Sequence, residues 1–208
     1  MIIRRVKKEP ILVQVDEVIT EPEQVQKPSH PPSKPEIKRI AFTGTRKGMT
    51  PTQIEVVTKF IQWSGPQGVF HGGCKGADEQ LHQIALELGL PVVVYPSDKK
   101  EWWGNWKGAK IVKDPMPPLE RNKIMVDRTT LLIAAPFEYI EQQHGGTWYT
   151  MRYAQQQQRI VEIAWRDGGI GFRRPHQPLS RLDMVGTEEW AKEQREKQKK
   201  ATLQKSNQ

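Results

Sequence analysis

Short apolar runs alternate with amphipathic stretches through the middle of the chain, and this alternation sets the expected fold. The first run, residues 39–43, is brief, apolar and followed by Gly44, which reads as a buried strand. Thr50 with Gln53 then makes a capping box, Pro51 takes the first helical position, and Ile54, Val57, Phe60 and Ile61 recur at helical spacing. A second short run, residues 68–71, leads into Gly72-Gly73. After it, Leu81, Ile84, Ala85 and Leu88 share one face of a helix that Gly89 stops. Residues 91–95 read as the third strand, 130–135 as the fourth and 159–164 as the fifth, with helices over 118–126 and 147–157. Strands alternating with helices predict an α/β protein with a Rossmann-like, doubly wound parallel sheet of about five or more strands and extended N- and C-terminal segments.

The same patterning divides the chain. Residues 38–165 form the expected domain. Residues 1–20 are an N-terminal extension in which 11–18 partly alternate, suiting one strand added to a sheet edge or to a partner chain. Residues 21–37 hold Pro22, Pro28, Pro31, Pro32 and Pro35 among polar side chains, a linker composition. Residues 166–208 form a basic, polar tail whose stretch 187–204 reads as a charged, weakly amphipathic helix or as disordered chain.

Composition narrows the class. The chain has 208 residues, of which 36% are hydrophobic, and a mean hydropathy of −0.69, low enough that part of its length should be solvated extension. Cys74 is the single cysteine, which excludes an intrachain disulfide framework and a cysteine-based zinc site, so no metal is expected. No apolar run suits a signal peptide or a membrane span, and the expectation is a soluble, cytoplasmic protein without membrane contact. The net charge of +8 invites a nucleic-acid reading, but it is diffuse: residues 1–37 carry six basic and six acidic side chains, 38–165 sixteen and twelve, and 166–208 ten and six.

In an open parallel sheet, ligands sit beyond the carboxyl ends of the strands. Four unusual sequences fall there: Thr43-Gly44-Thr45-Arg46-Lys47, His71-Gly72-Gly73-Cys74-Lys75-Gly76-Ala77-Asp78, Pro118-Leu119-Glu120-Arg121-Asn122, and Gly145-Gly146-Thr147-Trp148-Tyr149-Thr150. Glycines let backbone N–H groups approach an anion, and a helix N-terminus adds a positive dipole end, so Gly145, Gly146 and Thr147 form a phosphate cradle on this reading, with Gly44, Gly72 and Gly73 at neighbouring strand ends. Asp78 suits a ribose hydroxyl or a helix cap. Arg121 opposes the dipole of the helix it opens, a placement that suits a phosphate contact. His71 and His144 flank glycines but lack a placed carboxylate partner, which favours structural roles. The cluster Trp102, Trp103 and Trp106 suits base stacking or a dimer interface equally.

Together and in this order, the blocks Thr43-Gly44-Thr45-Arg46, His71 to Asp78, Glu120-Arg121-Asn122-Lys123-Ile124-Met125 and Gly145 to Ala154 resemble the SLOG superfamily, which joins the LOG-type nucleoside-monophosphate phosphoribohydrolases to the DNA-processing protein A family. The resemblance covers about residues 38–165. It implies a Rossmann-like fold, a homodimer or higher homo-oligomer, and a nucleotide-derived ligand held by the last glycine loop, with Thr45, Arg46, Asn122 and Thr150 joining the binding set. Arg121 and Met125 match the hydrolase branch, but Thr150 stands where that branch carries a glutamate, and a threonine cannot supply a carboxylate. The leading reading is therefore a nucleotide-binding or -sensing module, with a nucleotide ligand expected and no particular cofactor assigned. One alternative is a phosphoribohydrolase using Glu120 or Asp78 as the acid with Arg121. The other is a single-stranded DNA binder of the DNA-processing A type.

Overall fold

The apolar run that follows Arg39 forms β1 (Ile40–Gly44), entirely buried up to its last residue. In the computed structural model, the residues described are 39–181 together with Lys192, Arg195 and Glu196. The chain divides into two units, Met1–Pro35 and Glu36–Gln208, and the described residues belong to the second. The strand expected over 11–18, the proline-rich linker and most of the helix expected over 187–204 lie outside the described residues.

After β1, Thr50 caps α1 (Pro51–Ser64): its hydroxyl accepts from the Gln53 N–H while the Gln53 side chain accepts from Thr50, the reciprocal box expected. The helix ends at Gly65 in the left-handed region. There follow β2 (Val69–His71), α2 (Ala77–Glu87), β3 (Val92–Val94), a short 3₁₀ turn (Lys100–Trp102), β4 (Ile111–Val112), α3 (Pro118–Asp127), β5 (Leu131–Ala135), α4 (Gly146–Gln156), β6 (Ile160–Ala164) and β7 (Ile170–Arg173).

The seven strands make one sheet in the order β4-β3-β2-β1-β5-β6-β7, parallel throughout except for β7, which runs antiparallel to β6. Side chains alternate across it. Ile40, Phe42, Val69, Val92, Val94 and Ile133 face α1 and α2, where Val57, Ile61, Leu81 and Ile84 meet them. Ala41, Leu132, Ala134, Val161 and Ile163 face α3 and α4, where Met125, Trp148 and Met151 close the second layer. Each such aliphatic side chain contributes about 1.5–3 kcal/mol by leaving water, so two covered faces explain why the strands read as unbroken apolar runs. The chain is thus a Rossmann-like, doubly wound α/β protein.

The sheet extends two strands beyond the sequence expectation. β4 lies inside the Trp-rich excursion, residues 96–118, that carries Trp102, Trp103 and Trp106 between β3 and α3, and its two residues give no detectable period. β7 lies in what reads as polar tail: Asp167-Gly168-Gly169 makes a hairpin turn, with Trp165 N–H donating to Gly169 O at 2.9 Å, and returns the chain along β6. No helix among the described residues is long and apolar enough to cross a membrane.

Candidate functional site

The sheet order reverses at β1, which has β2 on one side and β5 on the other. Chain leaving the two strands departs in opposite directions, so a crevice opens between their carboxyl ends. A cavity of about 470 Å³ lies there, walled by the loops after β1, β2 and β5, the start of α3 and the start of α4.

Close packing fixes the first two loops. A Cβ at Gly44 would collide with Ala77 Cβ, so glycine lets the end of β1 meet the start of α2. Thr45 O accepts the N–H groups of Gly48 and Ala77, both at 3.1 Å, which curls the loop and presents Arg46 at the rim. At Gly72 a Cβ would occupy the position of the Arg121 guanidinium, so a side chain is excluded there by the arginine itself.

Arg121, only 6% exposed, donates from Nη1 to Tyr95 O at 3.1 Å and from Nη2 to Cys74 Sγ at 3.2 Å. Its Nε has no hydrogen-bond partner. Asp78 balances this buried cation and accepts the Cys74 N–H at 3.1 Å. Burial raises the Asp78 pKa to about 6, with Arg121 and the backbone donors Cys74 and Gly72 pulling the other way. Burial, followed by the charge of Asp78, also raises the Cys74 thiol, so Cys74 is a packed turn residue and not an activated nucleophile.

The third wall is the start of α4. Gly145 has φ +116°, a conformation open to glycine, and no side chain caps the helix. Its first N–H groups therefore face the cavity without an intramolecular acceptor from a cap. Thr147 Oγ1 donates to Gly44 O at 3.0 Å and ties the helix start to the end of β1. Glu138 accepts the Trp148 Nε1–H at 3.1 Å. Two cations approach the Phe137 ring, Lys47 Nζ at 3.7 Å and the Arg166 guanidinium at 4.3 Å from its centroid.

The Trp-rich excursion is a folded strap over the loop after β2. Lys75 N–H donates to Trp102 O, Gly104 N–H and Trp106 Nε1–H both reach Gly73 O, and Trp103 Nε1–H reaches Ser97 O. Trp102 reaches the cavity wall, with the Arg46 guanidinium 4.2 Å from its ring centroid. A histidine relay holds the strap from below. Gly73 N–H donates to His71 Nδ1 at 3.0 Å, which leaves the proton on His71 Nε2 to donate to His82 Nδ1 at 3.0 Å. The His82 Nε2 proton then points to Lys107 O at 3.1 Å. Burial, reinforced by the charges of His82 and Arg121, lowers the His71 pKa to about 3, so His71 stays neutral and structural.

Gly44, Thr45, Arg46, Gly72, Asp78, Arg121, Asn122, Gly145, Gly146 and Thr147 all meet on the cavity wall, and His144 joins them. Three other expected residues do not. Gly73 is turned away, with its carbonyl committed to the strap. Thr150 is fully buried: its hydroxyl accepts from Asn122 Nδ2 at 2.7 Å and donates to Gly146 O at 2.7 Å, pegging α4 to α3. Glu120 is exposed on α3 and outside the lining. Sequence reasoning missed Phe137 and Glu138. Their signal was position, since both follow β5 at the point where the sheet order reverses. Among the described residues, no group of three or more His, Cys, Asp or Glu side chains is arranged to hold a metal ion.

No family model matches the chain, and no curated protein matches it. Solved structures do. One is the molybdenum cofactor binding protein from the phototrophic bacterium Rippkaea orientalis, 19% identical with a TM-score of 0.50, over 62% of this chain and 77% of that one. Another is the structural-genomics target TM1055, 17% identical with a TM-score of 0.45, over 60% of this chain and 72% of that one. At 19% identity, the likeness to the Rippkaea orientalis protein establishes the shared fold.

Proposed function

We propose that the protein binds a phosphorylated nucleotide or nucleotide-derived ligand at this crevice, acting as a binding or sensing module. The phosphate sits on the N–H groups of Gly145, Gly146 and Thr147, with Arg121 and Arg46 as the cations facing it. The observation that carries the reading is the uncapped start of α4 opening into a cavity of about 470 Å³ at the β1–β5 reversal. Pockets for small ligands run roughly 300–1,000 Å³, so a mononucleotide-sized molecule fits. Trp102 and Phe137 supply apolar surface for a ring at the same wall. The resemblance of the four loop blocks to the SLOG superfamily supports the same ligand class. A molybdenum cofactor binding protein of the same fold is consistent with a cofactor-sized occupant.

A hydrolase reading keeps one specific support: Asp78 and Glu138 both put carboxyl groups on the cavity wall, whereas Glu120 is outside it. Incubation with adenosine 5′-monophosphate, followed by chromatography for free adenine, separates the readings. The binder reading expects no base released above background. Turnover that disappears in Glu138→Gln or Asp78→Asn replaces it with an N-glycosidic hydrolase using a relocated acid. The DNA-binding reading draws less support, because Arg39, Lys110, Lys113 and Arg128 gather around a separate recess away from the crevice rather than in one stripe continuous with it.

A further inference from the structure

The two faces of the sheet are unequally covered. On the α3/α4 side, α4 packs on β1, β5 and β6, and α3 packs chiefly on α4. Among the described residues, no helix is centred on the β2–β3–β4 half of that face. Register places Phe70 beside Val93 and Val93 beside Ile111, an apolar row across three adjacent strands that is buried at Phe70, half-buried at Val93 and exposed at Ile111. Pro91 extends this floor, and the result is a recess of about 280 Å³ at the amino-terminal edge of the strands, opposite the ligand crevice.

Its rim has one sign of charge. Arg39, Lys110, Lys113 and Arg128 line the recess, no carboxylate does, and none of the four side chains has a hydrogen bond or ion pair among the described residues. β4 borders it as the outermost strand among the described residues, with Ile111 42% exposed, so among them the edge of the sheet beside the recess carries no further strand.

We propose that this recess docks an acidic, extended segment of a partner protein, laid along β4 with aliphatic side chains on the Val93–Ile111 floor and carboxylates on the four cations. Addition of a strand to an open sheet edge supplies main-chain hydrogen bonds, and alternate side chains supply selectivity. Two other occupants fit less well. A second copy would set four cations against four. A nucleic acid would find no exposed ring to stack on, since Phe70 and Tyr95 are 7% and 2% exposed with ring centroids 5.5 Å apart.

The test is fluorescence anisotropy of the full-length protein with a labelled peptide of roughly twelve alternating Glu and Val residues. Binding should weaken about tenfold or more between ~50 mM and ~500 mM salt, because exposed charges are screened. The double variant Lys110→Glu/Arg128→Glu changes exposed side chains only and should also lose about tenfold or more. Ile111→Ser should weaken binding at unchanged charge. An equally charged peptide of Glu and Ser that binds as well would overturn the apolar floor. Displacement of the peptide by oligodeoxythymidine at lower concentration would make the surface a nucleic-acid site. A dimer that dissociates in the double variant would make it a self-association face, and wild-type affinity in the double variant would remove the site.

Discussion

At the scale of single residues, two buried titrating groups have opposite effects on stability. Burial raises Asp78 from 3.8 to about 6, so its stabilising contribution is full below about pH 4 and is lost as pH rises to about 6. His71 is lowered from 6.5 to about 3, so its contribution is full above about pH 6.5 and is lost as pH falls toward 3. Between about pH 4 and 6 the slopes oppose each other, each up to about 1.4 kcal/mol per pH unit. Asp78→Asn removes one slope. The variant should therefore lose stability on acidification more steeply than wild type, by up to that amount, in urea melts at three pH values; parallel curves would contradict the assignment. Thr150 gives a second prediction. Thr150→Val leaves the buried Asn122 amide without its acceptor and should cost about 1–3 kcal/mol in the same melts. The glycines and Arg121 were legible in the sequence because close approach and a misplaced charge are local signals. The burial of Thr150 was not, because it follows from how α3 meets α4.

At the scale of elements, the strap and the start of α4 have separable roles. His82 joins β2 to the strap through His71 Nε2 and Lys107 O. His82→Leu strands a buried donor and an acceptor, and should cost about 2–4 kcal/mol while increasing acrylamide quenching of tryptophan fluorescence as Trp106 loosens. Unchanged quenching at full stability would make the relay incidental. At the start of α4, nothing lies nearer than 3.9 Å to a Cβ on Gly146, so Gly146→Asp fits the fold. A carboxylate in the first helical turn should even stabilise it by about 0.3–1 kcal/mol. The long helices and buried strands were readable from their period and caps, with the capping box of α1 the clearest case. β4 is too short to carry a period. β7 alternates weakly, and its Asp167-Gly168-Gly169 turn was the available signal.

At the scale of the whole molecule, the sheet order turns three separate glycine-bearing loops and the start of α3 into one wall, and chain order alone could only suggest that convergence through the rule for open parallel sheets. The central claim is that this wall holds a phosphorylated ligand at the start of α4. The most direct measurement incubates wild type and Gly146→Asp with a mixture of nucleosides, nucleotides and dinucleotides, removes free compounds by gel filtration, and identifies what denaturation releases by mass spectrometry. Wild type should retain a phosphorylated species and not its unphosphorylated parent, while the folded variant, whose carboxylate fills the cradle and repels phosphate, should retain at least about tenfold less. Retention of the same species by folded Gly146→Asp, or of an unphosphorylated compound by wild type, would contradict the account.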